Sequence, residues 1–196
     1  IPLLLSLLDF ITSHQLEPII QLSIKPRYIK SNNQTVVINE IPQISSDDFV
    51  HRRLVQLLTF IKNLYPTSTI SKWRFLFWYD PVDTNSPKQF SLFYQKVYQL
   101  IKQILPKVNV GAGSFVVPHD LNNFRIFCQK YLPKLPLDFI TCDFIPDFSN
   151  SRIGSFKESF SSFAQIIQEC NVLVQQTRSA SGQKHLPFLI SSFSLS

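Results

Sequence analysis

Continuous apolar strands alternate with amphipathic helices along this chain, and that rhythm constrains the fold more than any other feature. Apolar runs predict five strands, over residues 19–24, 73–79, 108–112, 138–143 and 186–191. Apolar residues at helical spacing predict the intervening helices, over residues 3–14, 45–66, 88–105, 121–131 and 160–174. Buried strands joined by helices are typical of a parallel sheet covered on both faces. The sequence therefore predicts an α/β fold, either a doubly wound sheet or part of a (β/α)8 barrel.

The longest connection, residues 25–44, follows the first strand. Within it, the sequence RYIKSNNQTVVI predicts a small β-hairpin around Asn32 and Asn33. The next helix is expected to begin at Ser45-Ser46-Asp47-Asp48, because a capping hydroxyl and early acidic residues favour a helix N-terminus.

Length and composition bound the domain organisation. The 196 residues suit one domain with a substantial core. The chain has no Met and its first residues already have the pattern of a domain interior. We therefore expect residues 1–196 to form a single, incomplete barrel domain of a longer protein. The apolar opening lacks a basic leader and contains Asp9, which favours a buried helix over a signal peptide.

Several functional classes are disfavoured by what the sequence lacks. No apolar run approaches the ~18 residues of a membrane span, so we expect no membrane partner. The chain has only four Gly and no Gly-rich loop after a strand, which argues against a nucleotide cofactor. The histidines are spread singly, and Cys128, Cys142 and Cys170 lack metal-ligand spacing. We expect buried free thiols in a reducing compartment, no metal and no cofactor. The formal charge of +6 is scattered, which favours a solvated basic face over a nucleic-acid surface.

Five segments occur in a fixed order: LLDFITSHQLEPIIQLSIKP, WRFLFWYDPVD, VNVGAGS, LPLDFITCDFIP and LPFLISSFSLS. Together, from residue 3 to 196, they resemble glycoside hydrolase family 39, the β-xylosidase and α-L-iduronidase group of (β/α)8 barrels. The resemblance implies a partial barrel of about five strands, from the family's second helix to its seventh strand.

The resemblance also implies where the catalytic groups should lie. The family's fourth strand ends in Trp-Asn-Glu-Pro, whose Glu is the acid/base, and the aligned residues here are Trp78, Tyr79, Asp80 and Pro81. Asp80 keeps a carboxyl group but is one methylene shorter than Glu. Asp before Pro is also typical of a turn, so both interpretations of Asp80 stay open.

The seventh strand departs further from the family. There the usual sequence is Thr-Glu-Trp, whose Glu is the nucleophile, whereas this chain has Ser191, Ser192 and Phe193. Retaining glycosidases need two carboxyl groups ~5 Å apart. Ser192 supplies none, so the resemblance implies a degenerate nucleophile position and no working enzyme.

Two further strand ends differ from the family pattern. The sixth strand's usual His-x-Tyr is Asp143-Phe144-Ile145, and the small-residue turn after the fifth strand is Gly111-Ala112-Gly113-Ser114. Asp143 and Asp147 either form an acidic pair or have the ordinary roles of solvated loop residues or a helix N-cap. We take Trp78, Tyr79, Asp143 and Phe193 as candidate ligand-binding residues, although Trp78, like Trp73 and Phe77, also fits a barrel core.

These observations predict a catalytically degenerate glycoside-hydrolase-like barrel. The same pattern of loss resembles the C-terminal part of some AraC-type transcription regulators, which implies a cytoplasmic sugar-sensing or structural domain. We then expect a carbohydrate ligand and DNA contact only through another domain. The one protein partner we expect is a second copy of the chain, in a homodimer. The alternative is an active β-xylosidase-like hydrolase using Asp80 as acid/base, with Glu40 or Asp143 in a second role. A third hypothesis is a purely structural or dimerising module that binds no ligand.

Overall fold

A computed structural model describes residues 2–23, 27–31, 34–38, 49–78, 87–117, 121–144 and 156–193. Its helices are α1 (Pro2–Ser13), α2 (Phe49–Leu64), α3 (Thr67–Ile70), α4 (Pro87–Ile104), α5 (Leu121–Lys130) and α6 (Phe156–Ala180). Its strands are β1 (Ile19–Ser23), β2 (Arg27–Ser31), β3 (Gln34–Ile38), β4 (Arg74–Trp78), β5 (Asn109–Val117), β6 (Phe139–Phe144) and β7 (Phe188–Phe193). A 3-10 turn spans Leu132–Lys134.

The five predicted strands are the strands of one sheet, in the order β1-β4-β5-β6-β7. β1 pairs with β4 in parallel, from Ile19 opposite Arg74 to Ser23 opposite Trp78. β6 and β7 are also parallel. The order follows the chain without doubling back, whereas a doubly wound sheet reverses its order at a switch point. The predicted adjacency is confirmed, and the order favours the barrel.

The predicted hairpin is confirmed as well. β2 and β3 pair antiparallel, and Ser31 lies opposite Gln34. Two residues therefore separate the paired strands, the connection length that favours a tight hairpin turn. The proposed helix start at residues 45–48 lies outside the described residues, and α2 is described from Phe49.

By its internal contacts the chain divides into two compact units. The first is Ile1–Tyr79 with Leu92–Gly111. Aromatic rings pack in and beside β4: Trp73, just before the strand, lies 5.0 Å from the ring of Tyr65, which follows α2, and Phe77 of the strand lies 5.4 Å from that of Phe93 on α4. Trp73 and Phe77 are both buried. Their place in the core is confirmed, and their contacts put them in the layer between strand and helix.

In the second unit, Asp80–Ser91 with Ala112–Ser196, phenylalanines join α5 to the sheet. Phe115 of β5 lies 5.3 Å from Phe124 and 5.2 Å from Phe127, and Phe124 reaches Phe188 of β7 at 6.0 Å. Here the phenylalanine side chains, which are abundant in this chain, fill the space between strands and helix. Burying each ring stabilises the fold by roughly 1.5–3 kcal/mol.

The predicted end of the fifth strand is wrong. β5 continues through Gly111-Ala112-Gly113-Ser114 to Val117, so these small residues lie within a strand and not in a turn. The reason is the sequence Phe-Val-Val that follows, because Phe115 and Val117 are both buried and favour extended backbone. The small residues have a different role, described below.

Polar contacts of α6 fix the start of β7. The side chain of Gln175 donates to the carbonyl of Leu186 at 2.7 Å and accepts from its backbone N–H at 3.2 Å. Arg178 is buried and donates to the side chain of Gln183, which donates to the carbonyl of Pro133 at 3.2 Å. The segment between α6 and β7 is therefore held in place by hydrogen bonds from side chains of α6.

Candidate functional site

The carboxyl ends of parallel strands are where barrel folds place their sites, and the candidate residues are distributed unevenly there. Trp78 closes β4, whereas Tyr79 and Asp80 lie outside the described residues. Ser192 and Phe193 close β7, and their backbone alone is described. Asp143 is described fully, as the fifth residue of β6. The resemblance implies that the side chains of Asp80 and Ser192 converge at this end of the barrel, and that stays a prediction.

β6 and β7 bring two of the candidates together. Their parallel register pairs Asp143 with Ser192 and Phe144 with Phe193. One step earlier Cys142 is paired with Ile190, so Ser191 is an extra residue on β7. Such a β-bulge bends a strand and redirects a side chain, and bulges are common beside active sites.

The redirected side chain is the hydroxyl of Ser191. Its Oγ lies 2.6 Å from Oδ1 of Asp143 and 3.2 Å from the carbonyl oxygen of Cys142. A hydroxyl has one proton, and the shorter contact has the length of a hydrogen bond to a carboxylate. Ser191 therefore donates to Asp143. Both residues are half-buried, so the pair is reachable from solvent while partly shielded from it.

Ring contacts distinguish the two faces of β6. The ring of Phe144 lies 4.2 Å from that of Phe163 on α6. Successive strand residues face opposite sides, so Cys142 shares the α6 side. Asp143 and Thr141 lie on the other side. The carboxylate is thus on the sheet face turned away from α6, and it lies near the carboxyl end of β6, the end at which a barrel fold places its sites.

Thr141 lies below Asp143 on that face, against Gly113 of β5. A Cβ at Gly113 would stand 2.2 Å from the carbonyl oxygen of Thr141 and 2.5 Å from its Oγ1. The backbone of Gly113 has φ +146°, which L side chains rarely adopt. Gly113 is therefore needed for β5 to approach β6 at the level just before Asp143.

The three cysteines lie on different elements, Cys128 on α5, Cys142 on β6 and Cys170 on α6. All are buried free thiols, as predicted. Burial raises the pKa of Cys142 to about 12, with smaller contributions from Cys170 and Asp143. Burial also raises the pKa of Cys170 to about 11 and that of Cys128 further. Such thiols stay protonated at neutral pH, and a protonated thiol is a poor nucleophile.

Other candidates have little support as a site in the described ranges. No group of three or more His, Cys, Asp or Glu side chains has metal-binding geometry among the described residues. Glu40, His119 and Asp147 lie outside them. No helix in the described part of the chain is both long and apolar enough to cross a bilayer.

Ser191 is the residue that the sequence pattern undervalued. The resemblance aligns Ser191 with the family's Thr and Ser192 with the nucleophilic Glu, so the pattern points to Ser192 and not to Ser191. The bulge, which brings Ser191 to Asp143, has no signature in the run Phe-Leu-Ile-Ser-Ser-Phe. The only available signal was the pair of hydroxyl residues at a strand end.

The strand order and the polar groups at the strand ends define an α/β domain of the (β/α)8-barrel type. A solved structure agrees: the chain is similar to AbfB, a family 51 α-L-arabinofuranosidase from Bifidobacterium longum, with TM-score 0.54 and 13% identity. The match covers 95% of this chain and 38% of that chain, so this chain spans well under half of that protein's length. The likeness shows the fold.

Family membership follows from the sequence itself. The sequence model of Glycosyl hydrolases family 39 matches residues 3–191, nearly the whole chain. The chain belongs to this family, and the resemblance drawn from the strand ends is confirmed. A comparison with curated proteins gave no match.

Proposed function

We propose that this chain is a carbohydrate-binding barrel domain in which the family's retaining chemistry has been lost. One observation carries the proposal: the carboxyl end of β7 holds two serines, and the described one, Ser191, donates its proton to Asp143 at 2.6 Å. A retaining enzyme forms a glycosyl ester on a carboxylate, which is a good leaving group in the second step. A sugar transferred to serine would be an ordinary glycoside, as hard to hydrolyse as the substrate.

Asp143 does not replace the missing nucleophile in this proposal. It is on β6, one strand away from the family's position, and its Oδ1 already accepts the Ser191 hydroxyl. The acid/base role of Asp80 is carried only by the resemblance. The proposal therefore assigns Asp143 to ligand binding, and Trp78, Tyr79 and Phe193 are sugar-binding candidates on the resemblance alone.

The ligand class we propose is a neutral sugar, with pentoses first. Sugars present many hydroxyl donors, which a carboxylate accepts well. The resemblance of the strand ends is to the β-xylosidase group, and the similar solved structure is described as an α-L-arabinofuranosidase. D-Xylose and L-arabinose, free and as methyl glycosides, are the first ligands to test.

We also propose that the domain senses its sugar within a transcription regulator of the AraC type, with DNA bound by another domain. The support is analogy: a family-39 barrel that keeps its fold while its β7 carboxylate is replaced resembles the barrels of such regulators. A helix-turn-helix sequence in the same polypeptide would support this setting, and a secretion signal would contradict it.

A hydrolysis assay tests the lost chemistry. The intact protein is incubated with p-nitrophenyl β-D-xylopyranoside and the corresponding α-L-arabinofuranoside, beside Asp80→Asn and Asp143→Asn variants. We expect all three to match the buffer background. Wild-type turnover that Asp80→Asn abolishes would contradict the proposal and establish the hydrolase. If the wild type turns over substrate and both Asp80→Asn and Asp143→Asn abolish that turnover, the reaction follows an inverting route, which needs two carboxyl groups ~6.5–9.5 Å apart.

Thermal unfolding with the same sugars tests binding. A ligand that binds only the folded state stabilises it by about 2.7 kcal/mol at a hundred times its Kd. For a domain of this size, that is a Tm rise of roughly 5–10 °C. Neither turnover nor any rise in Tm would leave the structural module as the better account.

A further inference from the structure

The β-bulge brings Ser191 into contact with Asp143, a contact that the family pattern does not predict. Without the extra residue, Ser191 would continue the regular alternation of β7. With it, Ser191 Oγ reaches both the carbonyl of Cys142 and Oδ1 of Asp143 on the neighbouring strand. The hydroxyl therefore holds the carboxylate to the end of the sheet. We propose that Ser191 is a positioning residue that fixes Asp143 as the carboxylate recognising two adjacent hydroxyls of a sugar.

The hydrogen-bond donors and acceptors of Ser191 and Asp143 determine which ligand groups the pair can bind. Ser191 uses its one proton on Asp143, so its oxygen is left with lone pairs. A carboxylate oxygen only accepts, and the bond from Ser191 engages Oδ1, so Oδ2 is the other acceptor of the carboxylate. The pair therefore presents acceptors only. Neighbouring sugar hydroxyls can each donate to one of them, which matches the pair to a vicinal diol.

Rigidity is the second part of the argument. A free aspartate rotates about two side-chain bonds, and ordering it on binding has an entropic cost. The hydrogen bond from Ser191 selects one carboxylate orientation before a ligand arrives. The close approach of Gly113 to Thr141 fixes the backbone of β6 just before Asp143. The carboxylate is preorganised on rigid strands, which raises affinity without adding a contact.

The proposal rests on the proposed sugar-binding function, and the experiment separates the two. The intact protein is titrated by calorimetry with methyl β-D-xylopyranoside and methyl α-L-arabinofuranoside. The variants are Ser191→Ala, Ser191→Thr and Asp143→Asn. Ser181→Ala is the matched control, because its hydroxyl lies 3.0 and 3.1 Å from the carbonyl oxygens of Arg178 and Thr177, just after the end of α6. Circular dichroism establishes that each variant is folded.

We expect Ser191→Ala to weaken binding of the glycoside tenfold or more and Asp143→Asn to weaken it further. Ser191→Thr keeps the hydroxyl and should restore affinity to within about threefold, which a merely structural role of Ser191 would not produce. Ser181→Ala should bind as the wild type does. In the double variant Ser191→Ala, Asp143→Asn, the two effects should not add, because Ser191 acts through Asp143.

Three results would overturn the inference. Unchanged binding by Ser191→Ala, with binding lost in Asp143→Asn, would leave Asp143 as a ligand-binding group and remove the role of Ser191. Unchanged binding by both variants would place the sugar elsewhere in the protein. If the wild type binds neither glycoside, the proposed function fails first and the inference falls with it.

Discussion

Gly113 illustrates how one residue sets the geometry of a strand end. Its sequence context, Val-Gly-Ala-Gly-Ser, suggested a turn, and the structure puts it inside β5 with φ +146°. Two separate constraints apply to it, the positive φ and the short distance to Thr141. Either alone would favour glycine.

Gly113→Ala is therefore expected to destabilise the protein by about 3–5 kcal/mol, because a Cβ would collide with the backbone of Thr141 and the backbone would be strained. Gly182→Ala is the control: φ is +68° there, and nothing lies within 4 Å of the added Cβ. It should cost only roughly 1–2 kcal/mol. Urea unfolding of both variants measures the difference. Equal losses would show that the approach of β5 to β6 is not tight.

The buried thiols give a pH dependence with a definite sign. In the unfolded chain a Cys loses its proton near pH 9, whereas in the folded protein Cys170 and Cys142 keep theirs until about pH 11 and 12. Between these values the unfolded state binds fewer protons, so stability falls as pH rises. The contribution is fully present below pH 9. The loss is up to about 1.4 kcal/mol per pH unit for each thiol.

Denaturant unfolding at pH 8 and pH 10 checks this expectation. Cys142→Ala should show a shallower fall between the two pH values than the wild type, because one titrating thiol is gone. A thiol-reactive dye should label no buried cysteine of the native protein at pH 8 and all three in denaturant. Rapid labelling of the native protein would contradict the burial.

At the scale of elements, the helices and strands were predictable because apolar periodicity is a local signal. β1, β4, β6 and β7 each lie within two or three residues of their predicted bounds. β5 was misjudged because two glycines suggested an end, while the buried Phe115 and Val117 continued the strand. The bulge at Ser191 could not be predicted, since it depends on how β7 pairs with β6 and not on the residues of β7 alone.

Helix α2 offers a direct test of which face supports the core. Leu58 is fully buried, whereas Leu64 on the same helix is 49% exposed. Leu58→Ala should cost about 2–5 kcal/mol, since it leaves a cavity. Leu64→Ala should change stability by less than about 1 kcal/mol. Comparable losses from the two variants, measured by urea unfolding, would mean that α2 buries a different face.

At the scale of the whole molecule, the fold and the family were within reach of the sequence, and the site was only partly so. Strand-end segments in a fixed order identified family 39, which the match over residues 3–191 confirms. The proposed loss of the nucleophile could be inferred from the sequence, because it required only a comparison of Ser191-Ser192-Phe193 with the Thr-Glu-Trp that the resemblance aligns to it. The contact between Ser191 and Asp143 could not, because it joins residues 48 positions apart across two strands.

The most direct test of the proposed loss of retaining chemistry is a search for the covalent intermediate of a retaining glycosidase. The intact protein is incubated with 2-deoxy-2-fluoro-β-D-xylopyranosyl fluoride, which forms a long-lived ester with a nucleophilic carboxylate, and its mass is then measured. A β-xylosidase of family 39 is the positive control. We predict an unchanged mass for this protein while the control gains one fluoroxylosyl group. An adduct of that mass on a residue of β6 or β7 would contradict the account.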